Sequence, residues 1–174
     1  MIAYLTFALL NCYFTPTPNV YQQSDLLNWS EKKLTFEDFK GKPKNTKKPE
    51  GALASKISWT ITEESGKAPV YKIYNKMDRA QSWISVKHLE LLKEYQFLWN
   101  LSELYTRKIR KEVEKLNVKK VTDKTIYKSV ISQQVNTFYK ERAKYTGVIQ
   151  NQPDLFRIID KQYNDSLMIY SKYK

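Results

Sequence analysis

The stretch 86–116 is the feature that most limits what this chain can fold into. It contains no Gly and no Pro, and it ends in a dense run of Lys, Arg and Glu. Apolar side chains recur in it at steps of three and four, at Leu91, Tyr95, Leu98, Leu101, Tyr105, Ile109, Val113 and Leu116. Because an α-helix has about 3.6 residues per turn, this spacing puts them on one face. The sequence therefore predicts a long helix with one buried side.

Residues 91–110 of this stretch, LLKEYQFLWNLSELYTRKIR, carry a second pattern. They resemble a family of exported bacterial proteins of unknown function that look like zinc proteases of the zincin type, with the pattern L-L-K-H-E-Q-G-H-F-D-x-x-E-x-Y-A-R-K-L-R. In H-E-x-x-H the two His project from one helix face onto one zinc ion, and the Glu takes a proton from the metal-bound water. The resemblance implies an α+β fold, in which a small antiparallel or mixed sheet packs on a long central helix and C-terminal helices follow.

The catalytic part of that motif is degenerate in this chain. The first His falls on Glu94, the general base on Tyr95, the second His on Leu98 and the following Asp on Asn100. The family's Gly falls on Phe97. Leu98 has no metal-ligating atom, and a Tyr with a pKa of about 10 is a poor base near neutral pH. We therefore predict no catalytic residue, no metal site and no cofactor, zinc having been lost.

The remaining sequence offers no replacement site. It has one His, His88, and one Cys, Cys12. His88 lies six residues before Glu94, so on a helix the two point about 120° apart. Glu94 and Glu103 lie about 13.5 Å apart along a helix axis, too far for paired carboxylates. The sequence thus predicts a protein that is not an enzyme, and it leaves open whether this stretch is a degenerate zincin helix or an ordinary core helix.

The charge of the chain, +12 at pH 7, leaves two interpretations open. One is an anionic partner, which could be a polysaccharide, a membrane surface or nucleic acid. The other is a Lys-rich face that keeps the protein soluble. No Arg cluster, Gly-rich loop or recognised nucleic-acid motif is present. The functional prediction is a catalytically inactive, zinc-protease-like domain that acts by binding or structure, and the alternative is a basic module for an anionic partner.

The first residues predict export. Residues 1–14, MIAYLTFALLNCYF, form an uncharged apolar run that is too short to span a bilayer and fits the core of an export signal. A buried first strand or helix is the alternative. We assign 1–19 to this signal-like segment with its Pro-containing linker, and 20–174 to a single domain. We therefore predict an extracytoplasmic location, in which the protein is periplasmic, secreted or anchored to the envelope. No integral membrane span is expected once the signal is removed.

A further stretch before the long helix extends the resemblance. Residues 34–43, LTFEDFKGKP, match the family's L-T-W-x-D-F-x-G-x-P except that Phe36 replaces the Trp, and Leu34, Phe36 and Phe39 are expected core anchors. Residues 21–29 suggest a short turn. Alternation of apolar and polar residues predicts an antiparallel pair, 56–63 with 69–77, joined by a turn around Gly66.

Two more helices are expected after the long one. Thr122 or Asp123 is a candidate N-cap for the second, and Gly147 is a candidate C-cap. Its apolar stripe comprises Ile126, Val130, Ile131, Val135, Phe138, Tyr139 and Tyr145, with Arg142. Pro153 suits the first position of the third helix. Residues 163–169 stand where the family shows Y-D-x-x-T-x-H, and they contain no His.

Overall fold

The computed structural model describes residues 25–29, 33–44, 50–145 and 151–174. The predictions for residues 1–19 and for Gly147 lie outside these ranges. The strands are β1 (Leu26–Asn28), β2 (Gly51–Ala52), β3 (Ser55–Thr62), β4 (Val70–Asp78) and β5 (Trp83–Ile84). The α-helices are α1 (Leu89–Val118), α2 (Lys124–Tyr145) and α3 (Pro153–Ile169). Within these ranges the fold is α+β with a small antiparallel sheet and three α-helices, as predicted at that level.

The helix α1 runs for 30 residues and forms the centre of the fold. His88 is its N-cap residue, with extended backbone angles and no side-chain capping bond. Most of the predicted apolar face is buried, and Leu101 and Ile109 are fully inaccessible to solvent. The sheet packs on α1 from one side and the two later helices pack on it as well. The sequence predicted this element because its burial follows a local period.

The main sheet has three antiparallel strands in the order β1-β4-β3. Ile57 pairs with Asn75 and Thr62 with Val70, so the predicted hairpin is confirmed within one residue at each strand end. Gly66 in the connecting turn has a φ of 74°, a conformation in which Gly carries no steric cost. Along β4, buried residues at 71, 73, 75 and 77 alternate with more exposed ones. The alternation places one sheet face on α1 and leaves the other open.

Two elements differ from the sequence-based prediction. Residues 26–28, predicted to lie in a turn, form β1 and pair with residues 76–78 of β4. The strands β2 and β5 form a separate two-stranded sheet that had not been predicted. Both elements are only two or three residues long, which is too short to display a period. They become strands because a partner edge lies beside them in the folded chain.

The second and third helices occur as predicted, although their buried faces differ in detail. Asp123 Oδ1 accepts a hydrogen bond from the Thr125 amide at 2.8 Å, as an N-cap does, and Pro153 begins α3. On α2, however, Ile126 and Tyr139 are 42% and 52% exposed, while Tyr127 is fully buried. Tyr127 stacks on Tyr71 of the sheet, with ring centroids 5.1 Å apart. That contact, made across the fold, sets which side of α2 faces inward.

The stretch 34–43 forms a tight structural corner. Leu34 is buried, and Asp38 is fully buried. The Asp38 carboxylate accepts hydrogen bonds from the Thr35 amide and hydroxyl at 2.8 and 3.0 Å, which offset the cost of burying it. A Cβ on Gly41 would lie 2.8 Å from the carbonyl oxygens of both Ala80 and Ser82. The corner therefore needs Gly at position 41 because the backbone of 80–82 passes too close for a side chain.

Candidate functional site

The degenerate motif lies in the N-terminal half of α1, on the side that faces the core. Glu94, Tyr95 and Leu98 are 4%, 6% and 2% exposed, whereas Asn100 is half-buried. Residues 94 and 98 are one helical turn apart and lie on the same face. Leu98 belongs to a cluster of buried apolar side chains drawn from β1, β4 and α1 that includes Leu27 and Met77. The position that the resemblance gives to a second imidazole is thus held by packed hydrocarbon.

Tyr95 lies where the resemblance puts the general base. Its ring stacks on Phe39 with centroids 5.4 Å apart, and a Cβ on Gly51 would lie 2.7 Å from the Tyr95 hydroxyl oxygen. Burial raises the pKa of Tyr95 well above its ordinary value, and the nearby carboxylates of Glu94 and Glu50 raise it further. The phenol therefore stays protonated at neutral pH and cannot act as a general base there.

Asn100 joins two separate parts of the chain to α1. Its Oδ1 accepts hydrogen bonds from Trp29 Nε1 at 2.8 Å and from Gln96 Nε2 at 2.9 Å. Gln96 Oε1 in turn accepts a bond from the Leu34 amide at 2.7 Å. The Asn100 amide group also donates to Asn164 Oδ1 of α3 at 3.5 Å. These bonds hold Trp29 and Leu34, which lie between β1 and β2, against the middle of α1. They hold α3 there as well.

Phe97 lies where the family shows Gly, and it fills the space between the three helices. It is 1% exposed, and its ring makes edge contacts with Tyr145, Phe156 and Tyr163 at centroid distances of 5.6, 5.3 and 5.4 Å. Burial is the main cause that raises the pKa of Tyr163, and its hydrogen bond with Tyr145 raises the pKa further. This aromatic cluster is consistent with a packing role for the helix turn between Glu94 and Leu98.

Zinc does not fit the residues present at this turn. Leu98 has no donor atom, Tyr95 is held as the neutral phenol, and Glu94 alone supplies a carboxylate. His88 is exposed at the start of α1. Among the residues that the structure describes, no group of three or more His, Cys, Asp or Glu side chains is placed to hold a metal ion.

A buried charge cluster further along α1 was not predicted in this form. Glu103 Oε1 accepts hydrogen bonds from Arg107 Nε at 3.0 Å and from Arg110 Nη1 at 3.3 Å. Arg107 also donates to the carbonyl oxygen of Leu167 at 2.6 Å. Arg110 donates to the carbonyl oxygens of Ile73 and Tyr173. This cluster fastens α3 and the C-terminal turn to α1 and to β4.

The other glutamates of α1 have varied partners. Glu90 pairs with Lys93 at 3.0 Å and Glu112 with Lys115 at 2.7 Å, each with a partner three residues away on the helix. Glu114 instead pairs with Lys172 near the C-terminus at 3.0 Å. Glu94 is buried rather than placed on a charged surface.

The open face of the three-stranded sheet is the second candidate site. Lys56 pairs directly with Lys76, Ser58 with Tyr74 and Thr60 with Lys72. These six side chains share one face because residues paired across an antiparallel sheet lie on the same side. Lys56, Lys72 and Thr60 are exposed, and the other three are half-buried. We call this set the lysine face.

Comparison of the chain with protein-family models, with curated protein sequences and with solved structures found no match. The fold and the sites therefore define the protein by its architecture. It is an α+β domain whose central helix is packed on several sides and whose sheet exposes a basic face. Within the described ranges, no helix has both the length and the apolar character to cross a bilayer.

Proposed function

We propose that this protein is a catalytically inactive domain on a zincin-like scaffold, which acts through binding or structure in the cell envelope or outside the cell. The burial of Leu98 carries the proposal. A helix turn that positions a metal and its water must face a cleft, whereas this one faces packed side chains.

Contacts between the stretches that carry the resemblance support the zincin-like part. Phe39 of the stretch 34–43 stacks on Tyr95 of the degenerate motif. Asn100, just after that motif, donates to Asn164 in the C-terminal stretch. Three sequence fragments matched to one family therefore meet on neighbouring turns of α1.

Metal analysis and a peptide-cleavage assay of the purified protein test whether it lacks zinc and catalytic activity. We expect far less than equimolar zinc after expression in zinc-supplemented medium, no peptide cleavage, and a melting temperature that neither zinc nor a chelator changes. Equimolar zinc, or cleavage that a chelator abolishes, would contradict the proposal. Location is tested separately by fractionating cells that produce the full chain with a C-terminal tag, which we expect outside the cytoplasm.

A second candidate function is the binding of an anionic partner. The lysine face favours it because Lys56 and Lys76 are directly paired across the strands. Like charges in that relation destabilise a sheet, and an anion bound to the face would neutralise them. Binding to a polyanion should weaken steeply as salt is raised. Affinity that does not respond to ionic strength would reject this candidate.

A further inference from the structure

We propose that the lysine face binds an acidic polysaccharide, with the sugar carboxylates on Lys56, Lys72 and Lys76 and a sugar ring against Tyr74. This inference rests on the second candidate function, anion binding, and it assigns that function a site and a partner class.

No ion pair within the described ranges neutralises the charge on the lysine face. Lys76 instead lies 4.8 Å from the centroid of the Tyr74 ring. The nearest acid along β4 is Asp78, whose Oδ1 accepts a bond from the Gln81 amide in the following turn. The face therefore presents cations to an anion from outside.

The spacing of the cations suits an extended chain rather than a single small ion. Lys72 and Lys76 are four residues apart on one strand, which corresponds to about 13 Å. Lys56 lies across from Lys76, with Cβ atoms about 5 Å apart. A linear polyanion running along β4 could reach all three ammonium groups together.

A cavity of about 220 Å³ extends the basic surface at one edge. Its lining includes Tyr74 and Trp29, together with the cations Lys174 and Arg110, of which Arg110 is already paired with Glu103. Glu103, which also lines it, is already paired with Arg107 and Arg110. The cavity thus continues the surface from Tyr74 toward further positive charge.

The neutral groups on the lysine face favour an acidic polysaccharide over a nucleic acid or a membrane surface. Ser58, Thr60 and the Tyr74 phenol place hydroxyl groups among the lysines, where they can exchange hydrogen bonds with sugar hydroxyls. Binders of single-stranded nucleic acid present successive aromatic platforms, whereas this face has one ring. A membrane-binding surface adds apolar side chains that insert, and here only Val70, at the far end of β4, is a large exposed apolar residue.

The test is a titration of the full chain with a fluorescent polygalacturonate oligosaccharide at low and physiological salt. A neutral glucan, an oligothymidylate and anionic phospholipid vesicles serve as the comparison ligands. We expect tightest binding to polygalacturonate, weakening with salt, and no binding to the neutral glucan.

Matched variants locate the site. The triple variant Lys56→Gln, Lys72→Gln, Lys76→Gln should raise the Kd for polygalacturonate about tenfold, which corresponds to about 1.4 kcal/mol. The control Lys119→Gln, Lys128→Gln, Lys140→Gln removes the same charge from exposed lysines at the end of α1 and on α2. It should change the Kd by less than about twofold. Tyr74→Leu should weaken polygalacturonate binding several-fold and leave its salt dependence unchanged.

The outcomes distinguish polysaccharide binding at the lysine face from anion binding in general. Equal weakening by both triple variants would overturn the lysine face while leaving anion binding in place. Tighter binding to the oligothymidylate or to vesicles would overturn the polysaccharide. Binding to none of the anionic ligands would overturn both the inference and the second candidate function. Circular dichroism and melting curves of each variant show whether a lost affinity reflects lost folding.

Discussion

Glu103 and Arg107, one turn apart on α1, form an ion pair at 3.0 Å in which both side chains are about 95% shielded from solvent. Arg107 also reaches the Leu167 carbonyl oxygen, 60 residues away in the chain. Its guanidinium lies 5.0 Å from the centroid of the Trp29 ring. One side chain thus contacts both ends of the described fold, which makes the pair a structural fastening for the central helix.

Removing one partner of this pair should be costly. Glu103→Gln leaves Arg107 charged and buried without its counter-charge, and breaking such a pair costs about 3–5 kcal/mol. Urea unfolding followed by circular dichroism measures the loss. The control Glu112→Gln breaks an exposed pair on the same helix and should cost less than about 1 kcal/mol. Equal losses in the two variants would contradict a structural role for the buried pair.

Leu98→Ala tests whether the degenerate motif position carries packing. Because Leu98 is 2% exposed, the truncation should lower the free energy of unfolding by about 2–5 kcal/mol. Leu89→Ala on the same helix, at a site that is 65% exposed, should change it by less than about 0.5 kcal/mol. A tolerated Leu98→Ala would indicate that this turn borders an open space rather than a core.

Alkaline pH should destabilise the fold through its buried phenols. The pKa values of Tyr95 and Tyr163 are raised in the folded protein, so these groups bind protons more tightly there than in the unfolded chain. Their contribution is fully present below the unfolded pKa of about 10 and falls as pH rises above it. Urea unfolding at a series of pH values measures this slope. The double variant Tyr95→Phe, Tyr163→Phe should show a shallower decline above pH 10, and an unchanged slope would contradict the raised pKa values of these two phenols.

Gly41→Ala tests the corner formed by 34–43. The added Cβ would meet two carbonyl oxygens at 2.8 Å, and because both belong to the backbone they cannot rotate away. We expect a loss of about 1–3 kcal/mol in thermal or urea unfolding. Gly66→Ala, where a Cβ meets nothing within 4 Å but φ is 74°, should cost about 1 kcal/mol from backbone strain alone. A smaller loss at Gly41 than at Gly66 would indicate that the corner is loosely packed.

Several features could be predicted from the sequence because they depend on residues close together in the chain. The spacing of Leu91, Leu98, Ile109 and their neighbours indicated a long helix with one buried face. Alternation around Gly66 indicated the hairpin, and Pro153 marked the first residue of α3. The same local reasoning failed at Tyr127, whose burial depends on the ring of Tyr71 more than fifty residues earlier. It also failed at β1, which is a strand only because the edge of β4 is beside it.

The sequence by itself determined which chemical groups occupy the motif: a hydrocarbon at Leu98 and a phenol at Tyr95, whatever the fold around them. Only the tertiary structure decided that this turn faces a core, that Glu103 pairs with Arg107 out of contact with water, and that Lys56 stands opposite Lys76. The reason is physical. Side-chain identity and helical period are local properties, whereas burial, counter-charges and strand register depend on segments that folding brings together from distant parts of the chain.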